Sequence, residues 1–133
     1  MFLFAEMKVK LGALIATLGC LVLGRWSPSL QILLFLMILD YLSGCLLAFK
    51  QQALSSRVGF KGISRKILMF ILIGLGHQLD QLLSLNLLRD TCTLFYAINE
   101  ALSILENATG LGLPLPRVLV ETLANIRNVI DNN

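Results

Sequence analysis

Charged residues are scarce in this 133-residue chain. They make up 14% of the sequence, whereas hydrophobic residues make up 56% and the mean hydropathy is +0.79. A typical soluble domain has about 25% charged and about 45–50% apolar residues. A chain this short also has too little interior to bury so many apolar side chains. The composition therefore indicates a membrane protein.

Several features of other protein classes are also absent from the sequence. The net charge is only +3 and the basic residues are dispersed among apolar runs, so we expect no nucleic-acid partner. Cys20, Cys45 and Cys92 each lie in an apolar stretch without the spacing of a disulfide framework or a zinc site. There is no nucleophile elbow and no phosphate-binding loop. We therefore expect neither an enzyme nor a bound metal or cofactor.

Apolar stretches predict an all-α fold with four transmembrane helices in a domain over residues 1–109. They cover residues 9–24, 30–49, 67–88 and 91–105. Crossing a bilayer needs about 20 helical residues, which the second and third stretches provide. The first and fourth are short, and the first also has the basic start and apolar centre of a signal peptide. A three-span alternative therefore stays open.

The distribution of basic residues predicts the orientation in the membrane. A segment without acidic residues, expected to be a loop, joins the second and third stretches; its basic residues are Lys50, Arg57, Lys61, Arg65 and Lys66. Such a segment belongs on the cytoplasmic side, where it can also contact anionic lipid head groups. Four spans then place both termini in the cytoplasm and leave only Arg25 and Arg89 on the outer side.

Residues 110–133 are predicted to form a cytoplasmic linker and a short tail helix. Gly and Pro residues at 110–116 interrupt regular structure. Apolar side chains at helical spacing then predict an amphipathic helix over about 117–130. At this length it is an interfacial or partner-binding helix and not a membrane span.

Polar side chains within the apolar stretches are the candidate functional residues, because polarity inside a membrane is costly. Asp40 lies near the middle of its stretch and shares a helical face with Ser43 and Gly44. The third stretch carries a polar face made of His77, Asp80, Gln81 and Ser84. The fourth carries a longer one that includes Asn99, Glu100, Ser103, Glu106 and Asn107. These faces can pair helices or line water, and the sequence leaves both roles open.

A series of short motifs gives the chain a family resemblance. They are DYLSG at 40–44, SSRVGFKG at 55–62, Lys66, HQLD at 77–80, Arg89, NEALSILEN at 99–107 and GLPLP at 112–116. In this order, over roughly residues 26–126, the chain resembles the toxin-secretion/phage-lysis holin family. The first 25 residues carry no such motif.

The resemblance implies a small phage- or prophage-encoded protein of the bacterial cytoplasmic membrane. Such holins form homo-oligomers and open lesions at a set time, and an endolysin, or in some members a toxin, then leaves the cell. The family has no catalytic residues to carry over. Two alternatives stay open: a non-lytic protein, such as an antiholin or an assembly subunit, and a small proton-coupled transporter. Met7 also leaves open a second translation start.

Overall fold

The computed structural model describes residues 1–132, which form five helices and no strand. The helices are α1 (Phe2–Leu23), α2 (Pro28–Lys50), α3 (Ser56–Leu83), α4 (Leu88–Gly110) and α5 (Arg117–Asp131). The predicted all-α class is confirmed. The tail helix predicted over about 117–130 corresponds to α5.

Serine caps set the start of two helices. The Ser27 hydroxyl accepts a hydrogen bond from Leu30 N at 3.3 Å, and Pro28 occupies the first turn of α2. Ser55 caps α3 in the same way, through Val58 N at 3.3 Å. Because α3 already begins at Ser56, the basic segment that we expected to be a loop is mostly helical. The loop itself is short, and Arg57, Lys61, Arg65 and Lys66 all lie on α3.

Helix α4 lies at the centre of the bundle. It packs against α2, α3 and α5, and its contact with α2 is the most extensive in the described chain. Within that same part, α1 packs on α3 alone and buries none of its residues. The apolar core is small and lies between α2, α3 and α4. Its buried members come from α2 and α3, and α4 residues pack against them; the buried members are Leu30, Leu33, Met37, Met69 and Ile73.

Two glycines permit close approach at one end of the bundle. A Cβ on Gly76 would lie 3.2 Å from the backbone nitrogen of Arg89, so α3 and the start of α4 nearly touch there. Gly24, at the turn between α1 and α2, has φ +77°, and a Cβ on it would lie 2.6 Å from the His77 ring. A larger residue at Gly24 would meet both backbone strain and a steric clash.

The distribution of polarity is the reverse of that in a water-soluble protein. Large apolar side chains are exposed along every helix, including Phe35 at 59% and Ile71 at 56%. In contrast, Asp80, Thr93 and Glu100 are buried at 6%, 0% and 2% exposure. Acidic residues are almost never buried in soluble domains unless they are paired.

One helix in the described part of the chain, α2, is long and apolar enough by length and composition to cross a membrane. This single candidate does not test the predicted number of spans. The four-span arrangement therefore stays a prediction.

Candidate functional site

Three charged side chains from three different helices meet inside the bundle. Lys66 Nζ of α3 donates to Asp40 Oδ2 of α2 at 2.7 Å and also to Glu100 Oε2 of α4. The Lys66 and Asp40 side chains are only 15% and 16% exposed, and the Glu100 side chain is 3% exposed. One ammonium group thus links two carboxylates and ties α3 to the other two helices.

Asn107 completes this arrangement from the C-terminal half of α4. Its Nδ2 donates to Asp40 Oδ1 at 3.2 Å and to Ser43 Oγ at 2.9 Å. The Ser43 hydroxyl donates to the Asp40 backbone carbonyl at 3.1 Å, and Gly44 faces the same Asn107 amide. The predicted polar face of α2 therefore meets the predicted polar face of α4. We refer to Asp40, Ser43, Lys66, Glu100 and Asn107 as the ion cluster.

The position of Lys66 differs from the role that the sequence suggested. We expected a topology determinant at the lipid head groups, whereas its ammonium group lies between Asp40 and Glu100. A carboxylate in an apolar interior needs a counter-charge or further hydrogen bonds. Two carboxylates within apolar stretches therefore indicate that a basic side chain pairs with them, and Lys66 is the basic residue next to the third apolar stretch.

Asp80 holds the turn between α3 and α4 at the other end of the bundle. Its Oδ1 accepts hydrogen bonds from Leu87 N at 3.2 Å and Leu88 N at 2.9 Å, and its Oδ2 accepts one from Arg89 N at 2.9 Å. These amides begin α4 and have no partner within their own helix. A carboxylate there also interacts favourably with the positive end of the helix dipole. Asp80 thus caps a helix other than its own.

The other members of the predicted α3 polar face lie near Asp80 and not in the ion cluster; they are His77, Gln81 and Ser84. Gln81 Nε2 and His77 Nε2 are 3.1 Å apart, and both side chains line an open cavity of about 560 Å³ together with Ser84, Arg25 and Arg89. Arg89 Nη2 donates to the Arg25 carbonyl and to Ser27 Oγ. The structure therefore separates the α3 face from the α2 and α4 faces. Within residues 1–132, no three His, Cys, Asp or Glu side chains are grouped as metal ligands.

The other basic residues of the segment 50–66 lie at the end of the bundle where α2 stops. Lys50 Nζ donates to the Gly110 carbonyl at 3.1 Å, so it joins the last turns of α2 and α4. Arg57, Lys61 and Arg65 are exposed on the first turns of α3.

The polar face of α4 is divided between two environments. Glu100 and Asn107 belong to the ion cluster, whereas Asn99 and Ser103 are half-buried and Glu106 is exposed. In the described chain, these last three side chains have neither a hydrogen bond nor an ion pair. Sequence periodicity placed all five residues on one helical face. It could not distinguish the two residues of the ion cluster from the three without a polar partner.

Comparison with known proteins identifies the family. A model of the bacteriophage holin family matches residues 17–128. The chain belongs to this family. A protein of Bacillus phage phi105 named "probable holin" is 36% identical over 95 residues, which cover 71% of this chain and 70% of that protein. Membership in the holin family indicates a membrane protein, and it confirms the resemblance that the motifs suggested.

Proteins of bacterial species are similar over a comparable or greater length. An uncharacterized protein of Clostridium perfringens strain 13 is 35% identical over 123 residues, which cover 90% of this chain and 91% of that protein. An uncharacterized protein of Listeria monocytogenes is 42% identical over 97 residues, covering 72% of this chain and 69% of its own length. No solved structure matches the chain.

Proposed function

We propose that this protein is a holin that forms homo-oligomers in the cytoplasmic membrane of a bacterial host and opens timed lesions there. An endolysin, or a toxin, then leaves the cell through the lesions. One observation carries this proposal: a chain of the holin family exposes apolar side chains and keeps Asp40 and Glu100 inside the bundle, paired with Lys66. Such a subunit can accumulate in lipid without exposing the charges of this cluster.

The proposed topology has four spans, α1 to α4, with both termini in the cytoplasm. Its support is the alternating direction of these four helices and the basic residues at the end that holds Lys50 and Gly110. In a cysteine-free background, a single cysteine at Ser84 should react with a membrane-impermeant maleimide in intact cells, and one at Gln52 only after permeabilisation. Labelling of both positions from outside, or of neither, would contradict this topology.

The proposed mechanism is a change of partners by the buried polar groups. In the closed subunit, Lys66 and Asn107 satisfy the carboxylate of Asp40. When many subunits associate, the same polar faces turn to a shared aqueous lumen, where water replaces the protein partners. We expect five residues to contribute most to this change of partners: Asp40, His77, Asp80, Asn99 and Glu100.

The function is tested by regulated expression in a bacterial host. Membrane potential and culture density are followed with and without a co-expressed endolysin that lacks a secretion signal. We expect abrupt depolarisation after a delay, with lysis only when the endolysin is present. Stable growth and potential at verified membrane levels would contradict the lytic function. That result would favour a non-lytic antiholin or assembly protein, in which the polar groups only join helices.

Asp40→Asn should change the delay before depolarisation. The amide keeps the size of the side chain but removes one of the two charges that Lys66 neutralises, so the closed state loses part of its electrostatic stabilisation. Depolarisation time is measured at matched membrane levels, with Asp90→Asn as an exposed acid-to-amide control on α4. If the Asp40, Asp80 and Glu100 amide variants all keep the wild-type delay, the carboxylates do not control opening.

A further inference from the structure

In the described part of the chain, three polar residues on one face of α4 have no polar partner. Asn99, Ser103 and Glu106 follow the i, i+4, i+7 spacing of a helical face. We call them the unpaired stripe. Within residues 1–132, their side chains make no hydrogen bond and no ion pair. The neighbouring Glu100 and Asn107, in contrast, form hydrogen bonds within the ion cluster.

The depth of the unpaired stripe in the proposed membrane topology makes its lack of polar partners costly. Asn99 is next to Glu100, which lies near the middle of α4. In the proposed topology this position is in the hydrocarbon layer, where an amide without a hydrogen-bond partner costs several kcal/mol. The side chain must therefore meet a polar group that is itself in the membrane.

The subunit's own tail helix does not supply that group. Arg127 and Asn128 of α5 border the same cavity as Glu106, but Asn99 and Ser103 are not among the residues that line it. Arg127 instead lies 3.6 Å from the Asp131 carboxylate of its own helix. The partner of the stripe must therefore come from outside the subunit.

We propose that the unpaired stripe is the surface through which a second copy of this chain binds. An asparagine amide both donates and accepts hydrogen bonds, as does a serine hydroxyl, so the stripe is complementary to itself. Two copies with the same orientation in the membrane place their α4 helices parallel, and Asn99 then meets the Asn99 of the other copy. Glu106 lies about 10 Å further along the helix, toward the membrane surface, where water weakens the repulsion between like charges.

This inference rests on the proposed function, because it assumes that the chain spans the membrane and self-associates. Its test is oxidative cross-linking in membranes, with single cysteines in a background that lacks Cys20, Cys45 and Cys92. Leu68 is the matched control position, because it lies on α3 two residues after Lys66, at the depth of Glu100, and is 55% exposed. We expect covalent dimers from Asn99→Cys and Ser103→Cys, and at least several-fold fewer from Leu68→Cys.

A second measurement does not depend on the cysteine-free background. In the otherwise wild-type chain, Asn99→Leu combined with Ser103→Ala should weaken self-association about tenfold, as expected from the loss of interhelical hydrogen bonds. Energy transfer between two labelled copies in membranes reports this change, and Leu68→Ala should leave the transfer unchanged.

Failure of the inference can be told apart from failure of the proposed function. Depolarisation of cells without preferential cross-linking at Asn99 or Ser103, or with unchanged energy transfer in the double variant, would overturn the interface and leave the holin proposal intact. Cross-linking at both positions without depolarisation would support the interface and contradict the lytic function.

Discussion

Replacing Lys66 with methionine should destabilise the folded subunit by about 3–5 kcal/mol, the usual cost of removing one partner from a buried ion pair. The change leaves Asp40 and Glu100 without the ammonium group that contacts both. Methionine retains most of the volume of the lysine stem, so lost packing contributes little. The free energy of unfolding can be measured in detergent micelles by denaturant titration.

Two further variants show whether charge is the cause of this loss. Lys61→Met removes a lysine from an exposed position on the same helix, and its effect should stay within about 0.5 kcal/mol. The triple variant with Lys66→Met, Asp40→Asn and Glu100→Gln removes all three charges and should recover a large part of the stability. Similar stabilities for Lys66→Met and Lys61→Met would show that the ion cluster does not hold the helices together.

Lys66→Met should also change the time at which lesions open. Lys66 is the residue that joins α3 to both α2 and α4, and α2 and α3 otherwise contact each other little. Without it, α3 is held mainly by its contact with α4. Under the proposed function, Lys66→Met at wild-type membrane levels should therefore shorten the delay before depolarisation.

Local patterns in the sequence were sufficient to predict much of the fold. Ser27 and Pro28 mark the start of α2, and the apolar spacing after Pro116 predicts α5. In both places the signal is local and lies within about four helical turns. The face shared by Asp40, Ser43 and Gly44 is likewise a property of one helix, and it meets α4 in the structure.

The pairing of polar faces could not be predicted, because it depends on residues far apart in the chain. Lys66 is 26 residues from Asp40 and 34 residues from Glu100, and no periodicity within a helix reports such a contact. Lys66 also follows several basic residues, so its charge was assigned to the segment and not to the interior. For the same reason, periodicity could not separate the paired and unpaired residues of α4, since only packing decides which side of a polar face a neighbouring helix covers.

Asp80→Ala should release the first turn of α4 without disturbing the ion cluster. The substitution leaves the amides of Leu87, Leu88 and Arg89 without their acceptor, and loss of a helix cap exposes such amides to local opening. We expect about tenfold faster hydrogen exchange at these three amides. Exchange in the last turns of α4, near Asn107, should not change.

The control variants separate the cap from a general effect of charge. Asp90→Ala removes an exposed acid from the first turn of α4, so it should alter exchange only slightly. Asp80→Asn retains one acceptor oxygen and should give an intermediate rate. Unchanged exchange at Leu88 and Arg89 in Asp80→Ala would show that the α3–α4 turn is held by other contacts, such as the close approach at Gly76.

The effects of Asp80 and Lys66 on the delay before depolarisation would then show where opening begins. Asp80 and Lys66 both restrain α3, but at different levels of the bundle: Asp80 at the turn into α4, and Lys66 in the interior. If opening begins with separation of α3 from the ion cluster, Lys66→Met shortens the delay much more than Asp80→Ala. If it begins at the α3–α4 turn, the order is reversed, because the cap is then the contact that breaks first.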